Sequence, residues 1–418
     1  MSPSSIELIL TSSPNGPIVV YEAATGSVMA SFSGSRSPCR GLTMTGRRLI
    51  AASHVSSDTG AGSINIYNWF GSIPFHNFPM PEPVAPLIAT LDGAFLFGGG
   101  ISGSVFSLSS SSGDVIRSVA AHSKAVSSLH LTDDESLVIS GSDDGTIAVV
   151  PTFKIVVRAS LEEKMEMEDL ILHKWKAHSD SVTALKSVMG MLVSCSVDCT
   201  CKFWNLGDCG ALIRTVAFPC AIFRVAFNST MSRFYAAGAN GLVYKGQVKV
   251  GRTYKVNTWF KGQSGSIVSL DLVNEERNLV CATEDGCVWM WDVKSGEVTM
   301  VLGNEMVSIS DMIVVKVNGG LVTKGNNVAI GEGSGLFTSS RLCDGEIIKT
   351  LKQITELGEV NDVLLQDKKK AIDMLESAIE MYERLLKLIL KEATKAIEEG
   401  EEEEDEDDKG KNYKKEDK

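Results

Sequence analysis

An imidazole, a hydroxyl, a carboxylate and an indole stand at His178, Ser194, Asp198 and Trp204, within the stretch from His178 to Asn205. The chemistry open to such a set is proton sharing. An imidazole N–H reaches a carboxylate, and a hydroxyl relays from the other side of the ring to an indole N–H. Buried polar groups need partners, and this arrangement satisfies four at once. The groups must be carried by elements that cross one another in short steps. Apolar residues recur with period two through SVTALK, MLVSCS and a last segment ending at Trp204, with Asp198 in a turn. That pattern predicts three short strands joined by tight turns, laying the polar set across one meander.

One such sheet cannot bury both of its faces, so the unit is expected to recur. It does. Upstream, AHSKAVSSLHLTDDESLVISGSDDGTIAVV places His122, Ser140 and Asp144 at the same positions, with Val150 in place of the Trp. Downstream, NLVCATEDGCVWMWDV carries Asp285 in the turn and Trp291 six residues later, with Cys281 at the Ser position and Gln263 at the His position. Weaker copies keep only the apolar pattern and a turn around Asn15, Ala61, Ser102 and Asn240. The turn positions 15, 61, 102, 144, 198, 240 and 285 are separated by 46, 41, 42, 54, 42 and 45 residues. This resembles a WD repeat, whose structural tetrad has these residue types in this order and whose blade takes about 40–45 residues. Seven units imply an all-β, seven-bladed β-propeller over residues 1–320.

Ring closure is also legible. The first segments, IELILTS, GPIVVYEA and SVMASFS, correspond to the second, third and fourth strands of a blade. VSISDMIVVKVNGG, residues 307–320, is extended and has no further unit behind it. Donated beside the first segments, it completes their blade and removes an exposed sheet edge. Two stretches interrupt the regularity. Residues 68–86, rich in Pro and aromatics, read as an exposed loop or outer strand able to dock a partner, and residues 151–174 read as an insertion projecting from the fourth unit.

Other apparent motifs carry no chemistry. GGGISG, Gly98–Gly103, fits a phosphate-binding spacing, yet a strand-like segment follows it where a helix is required. Cys195, Cys199, Cys201 and Cys209 lack the paired knuckles of a zinc site and alternate along a strand–turn–strand. His122 and His178 are placed in the polar network rather than as free bases. No nucleophile–base pair or carboxylate dyad emerges, so neither an enzyme nor a cofactor or metal site is expected. No run of 18 apolar residues predicts a membrane span, and the first residues lack the charged start of a signal peptide. Nine cysteines without a regular framework predict reduced thiols in a cytosolic or nuclear protein.

After a linker at 321–352, the character changes. Residues 353–399 are dominated by strong helix formers, and from Leu364 to Glu399 there is no Gly or Pro. Leu365, Ile372, Ile379 and Leu386 recur every seven residues, and Leu375, Tyr382 and Ile389 follow three residues after the last three. This a/d seam predicts a coiled-coil helix that pairs with another helix, most simply a second copy of itself. Residues 400–418 form an acidic tail expected to be disordered. From Glu398 onward 12 acidic and 5 basic residues give −7 of the chain's −12.

A degenerate seven-unit propeller with insertions, a C-terminal helix and an acidic tail resembles the WD-repeat subunit of the Rix/Ipi pre-ribosome complex, the partner of the PELP-type scaffold in animals. The fourth and fifth units and the seam through Ile372, Ile379 and Leu386 carry most of the likeness, which is nearest the plant members named for a root-initiation defect. The resemblance implies a non-catalytic nuclear scaffold, nucleolar and nucleoplasmic, in large-subunit maturation and pre-rRNA processing. It implies binding to a Rix/PELP-type α-solenoid subunit, an AAA ATPase and the pre-60S particle, with roles in cell proliferation and meristem development. The alternative is a substrate-receptor or chromatin-complex adaptor, since this fold does not fix function.

Overall fold

The computed structural model describes residues 5–33, 36–46, 49–157, 170–230, 232–248, 257–258, 265–303 and 308–318. In them the chain forms seven four-stranded antiparallel sheets, numbered here as blades 1 to 7. Each of the seven expected turn positions falls between the second and third strands of its blade. The first strands of blades 2 to 7 are Leu42–Thr45, Val84–Ala89, Val126–Leu131, Val182–Val188, Ile222–Phe227 and Ile267–Val273. They surround the axis, because residues from all of them line one channel.

Burial follows from the stacking of sheet on sheet. Middle strands such as Met191–Ser196 are covered almost end to end, since both faces meet a neighbouring blade. Fourth strands such as Val28–Phe32 and Val298–Leu302 are mostly exposed. The apolar clusters run between blades: Val193 and Phe203 pack with Phe234 and Ala236, and Ile9 and Val19 pack with Val280 and Met290.

Blade 1 is built from both ends of the propeller. Asp311–Asn318 pairs with Ser5–Ser12 from Ser5↔Asn318 through Ser12↔Asp311, and Ser5–Ser12 pairs on its other edge with Ile18–Glu22. The Ser12 and Ser310 hydroxyls add a 3.1 Å hydrogen bond. The expected closing strand is therefore in place and no strand edge is left facing the seam.

Two details depart from expectation. The insertion between the third and fourth strands of blade 4 does not simply project. It opens with a short helix, Thr152–Val156, whose Ile155 is fully buried, and Leu170 beyond it is also buried. Both pack against Val150, supplying apolar volume where a Trp is missing, and the Ser107 hydroxyl donates to the Ile155 carbonyl at 2.5 Å. Secondly, Cys195 and Cys201 face each other across adjacent strands of blade 5 and are joined as a disulfide, so these two are not separate thiols. The middle of the insertion, Gln263, the linker, the seam helix at 353–399 and the acidic tail lie outside the described residues.

Leu10 tests the seam, since it is fully buried between Val20 on one side and Ile313 on the other. Leu10→Ala is expected to cost about 2–5 kcal/mol in chemical denaturation. Val28→Ala, at a position 61% exposed on the outer strand, is expected to change stability by less than about 0.5 kcal/mol. Equal losses at the two positions would contradict the closure.

Candidate functional site

Blade 5 brings all four polar residues together. Leu192 and Ser194 share one face of their strand, and Trp204 lies opposite Leu192 on the next strand, diagonal to Ser194. The indole Nε1 donates to Ser194 Oγ at 2.8 Å. His178 follows the outer strand of blade 4, and its Nε2 lies 2.8 Å from Ser194 Oγ while Nδ1 lies 2.9 Å from Asp198 Oδ2. An indole only donates and a carboxylate only accepts, so the direction of the chain is fixed. The Ser194 hydroxyl must donate to Nε2, and Nδ1–H must donate to Asp198, which is the neutral imidazole.

Asp198 is itself held by its turn. It accepts from Thr200 N at 3.0 Å, Thr200 Oγ1 at 2.6 Å and Ser179 N at 3.2 Å. The turn is tight: Cys199 sits at φ 63°, while Gly103, Gly145, Gly241 and Gly286 take that position in other blades. At Gly145 the demand is absolute, because a Cβ there would lie 2.5 Å from the His178 carbonyl oxygen.

The partial sets are wired differently. In blade 4, His122 Nε2 meets Ser140 Oγ at 2.8 Å, but Nδ1 bonds Thr146 Oγ1 at 2.7 Å and stands 3.9 Å from Asp144. Thr146 passes the contact on, donating to Asp144 at 2.6 Å. In blade 7, Trp291 is buried diagonal to Cys281, and the Thr283 hydroxyl donates to Asp285. Blade 6 substitutes another network, in which Asn240 Nδ2 donates to the Tyr244 hydroxyl at 2.9 Å, with Cys220 Sγ 3.6 Å from the same oxygen.

Charge states follow the burial. Burial lowers His178 below the ordinary imidazole value, against the pull of Asp198. Burial also lowers His122, to about 4, and His130, to about 3. For Asp144 and Asp198 burial acts upward but is outweighed. Hydrogen bonds, led by those of Thr146 and Thr200, hold both below the usual carboxylate range. Serine, histidine and aspartate in series invite comparison with a nucleophile, yet Ser194 is wholly buried and Ser140 1% exposed. No substrate reaches either hydroxyl.

The glycine stretch set aside in the sequence is explained by its place in the sheet. Gly98–Gly100 end one strand, and the strand Ser104–Ser109 follows the turn. Among the described residues no group of three or more His, Cys, Asp and Glu is arranged to hold a metal, and no helix is long and apolar enough to cross a membrane. Sequence reading passed over the axial channel, a cavity of about 240 Å³ lined by Arg40, Lys186, Arg224 and Asp311 among others. The available signal was a charged residue inside otherwise apolar strand segments, IFRVAF at Arg224 and DMIVV at Asp311.

Seven four-stranded blades, one bearing a complete His–Ser–Asp–Trp network, define a WD-repeat β-propeller. The family described as WD domain, G-beta repeat, matches residues 113–149, 170–205 and 254–292. The particular resemblance read from the sequence also holds. The chain is 29% identical over 297 residues to Protein ROOT INITIATION DEFECTIVE 3 of Arabidopsis thaliana, covering 69% of this chain and 67% of that protein. It is 23% identical over 300 residues to human WD repeat-containing protein 18, covering 68% and 67%. Pre-rRNA-processing protein IPI3 of Yarrowia lipolytica is 26% identical over 265 residues, covering 58% and 60%.

Two outcomes follow. Asp198→Ala strands the His178 N–H and is expected to cost about 1–3 kcal/mol, read as a lowered denaturation midpoint; an unchanged midpoint would show the network idle. The pH dependence has a definite sign. An unfolded histidine takes up its proton near 6.5, whereas folded His122 does so only near 4. The unfolded chain therefore binds more protons in between, so this contribution is full above pH 6.5 and is lost as pH falls toward 4. His122→Asn is expected to flatten that part of the stability profile, and an unaltered slope would count against a buried neutral His122.

Proposed function

We propose that this chain is a non-catalytic scaffold in maturation of the large ribosomal subunit and pre-rRNA processing, working in the nucleus within a Rix/Ipi-type complex. The observation that supports it is similarity over 69% and 58% of the chain to proteins whose names specify root initiation and pre-rRNA processing. In a plant its loss would be felt first in dividing tissue, in meristem and root. Its partners are a Rix/PELP-type α-solenoid subunit, a pre-ribosomal AAA ATPase and the pre-60S particle. The hydroxyls of both histidine networks are sealed inside the blades, while apolar side chains at Phe70, Ile73 and Phe75 are exposed between the third and fourth strands of blade 2. That loop is a contact surface for the solenoid subunit. The heptad seam from Leu365 to Ile389 joins two copies of the chain, so that one assembly holds two propellers.

The test is affinity purification from nuclear extract of cells expressing a tagged and an untagged copy. Pre-60S assembly factors and the untagged copy are expected together, and Ile379→Asp with Leu386→Asp should release only the untagged copy. Recovery of cullin adaptors or histone modifiers in place of assembly factors would overturn the ribosomal reading. A monomeric tagged chain would overturn self-pairing.

A further inference from the structure

The axial channel holds a charge imbalance that neither the blade networks nor the proposed scaffold role uses. Three elements far apart in sequence bring it about. Arg40 precedes the first strand of blade 2 and sits at φ 65°. Arg224 projects from Ile222–Phe227 in blade 6, and Asp311 opens Asp311–Asn318 in blade 1. Arg224 Nη2 stands 3.8 Å from Asp311 Oδ1, and their side chains are 15% and 7% exposed. Asp311 is further engaged by the Leu42 N–H at 3.3 Å. Arg224 Nη1 donates to the Phe223 carbonyl at 3.1 Å, and Arg40 Nη1 donates to the Ser127 carbonyl.

What remains is an excess of donors and of positive charge. Two guanidiniums and Lys186 line the channel with one carboxylate, Asp311, while Asp143 is a lesser influence on Arg40, and burial raises the Asp311 carboxyl above its ordinary value. Arg40 Nε is shut off from solvent and has no partner among the described residues. Burial, and then the charge of Arg224, pull Arg40 down to about 9, so the two cations feel each other and Arg40 remains charged at neutral pH. A buried donor without a partner costs about 1–3 kcal/mol, and this one belongs to a side chain that lines the channel. The channel volume of about 240 Å³ is several times the roughly 30 Å³ of a water molecule, leaving room for a small polyatomic ion.

We infer that the axial channel between Arg40 and Arg224 is a binding site for a phosphate-type oxyanion. A guanidinium presents a planar fork of donors matched to such oxygens. A tetrahedral group offers separate oxygens to two forks arriving from different blades, which a planar carboxylate does less well. The ligand is either the free ion or a phosphoryl group on a larger molecule, and its charge relieves the repulsion between the two arginines.

Calorimetric titration of the full chain at fixed ionic strength tests this, with inorganic phosphate in one arm and O-phosphoserine in the other. One saturable site is expected. Tighter binding of inorganic phosphate identifies the free ion, and tighter binding of O-phosphoserine identifies a carried phosphoryl group. Arg40→Gln and Arg224→Gln are each expected to weaken binding by roughly tenfold or more, while Lys294→Gln, in an exposed turn, leaves it unchanged. Arg40→Lys keeps the charge but loses the fork, and is expected to retain part of the affinity even if the glutamine variant folds poorly. Absence of saturable binding in both arms overturns the inference. So does equal binding by the unaltered chain, Arg40→Gln and Arg224→Gln, which would place the anion elsewhere.

Discussion

Every blade in this protein has two apolar faces, and only another blade can cover each of them. Val193 and Phe203 need Phe234 beside them, and Ile9 and Val19 need Val280 and Met290. A row of such sheets always ends in two uncovered faces, so the arrangement is stable only when the row closes on itself. Closure then requires the two ends of the propeller to share a sheet. The ladder between Ser5–Ser12 and Asp311–Asn318 meets that requirement, and the rest of the ring depends on it. Burial of each apolar side chain is worth about 1.5–3 kcal/mol, so the seam is held by packing as much as by its backbone bonds.

Within that ring the polar networks act as local fasteners, and their variety shows how little the ring depends on any single one. Blade 5 uses the full chain from Trp204 through Ser194 and His178 to Asp198. Blade 4 routes the same connection through Thr146 and fills the absent indole's space with Ile155 and Leu170. Blade 6 uses an amide and a phenol. Each solution satisfies the polar groups it buries, and each ties the turn between the second and third strands to the rest of its sheet. The shared physical demand is partnered polar atoms, and several side-chain sets meet it.

The channel is governed by a different balance. A buried ion pair is weak support for stability, because desolvation offsets the Coulomb attraction. Placing two guanidiniums against one carboxylate makes the offset worse. The arginines at 40 and 224 therefore make poor sense as fasteners and better sense as a receptive surface. The outer rim contrasts with this: Phe70, Ile73 and Phe75 there are open to solvent and apolar.

The sequence by itself determined what depends on neighbours along the chain. Period-two alternation marked the strands, the recurrence of turn positions from Asn15 to Asp285 counted the blades, and the order of His178, Ser194, Asp198 and Trp204 foretold their bonding. These were readable because a strand, a turn and a hairpin network are set by residues a few positions apart. The WD repeats were readable for the same reason, and the family model matches three of these stretches, 113–149, 170–205 and 254–292. Only the tertiary structure decided that Thr146 stands between His122 and Asp144, that the insertion turns inward at Ile155, and that Cys195 meets Cys201. It alone brought Arg40, Arg224 and Asp311 to one channel. Their separation in sequence spans almost the whole ring, and no periodicity relates them. Such contacts exist only after seven sheets have packed and closed around a common axis.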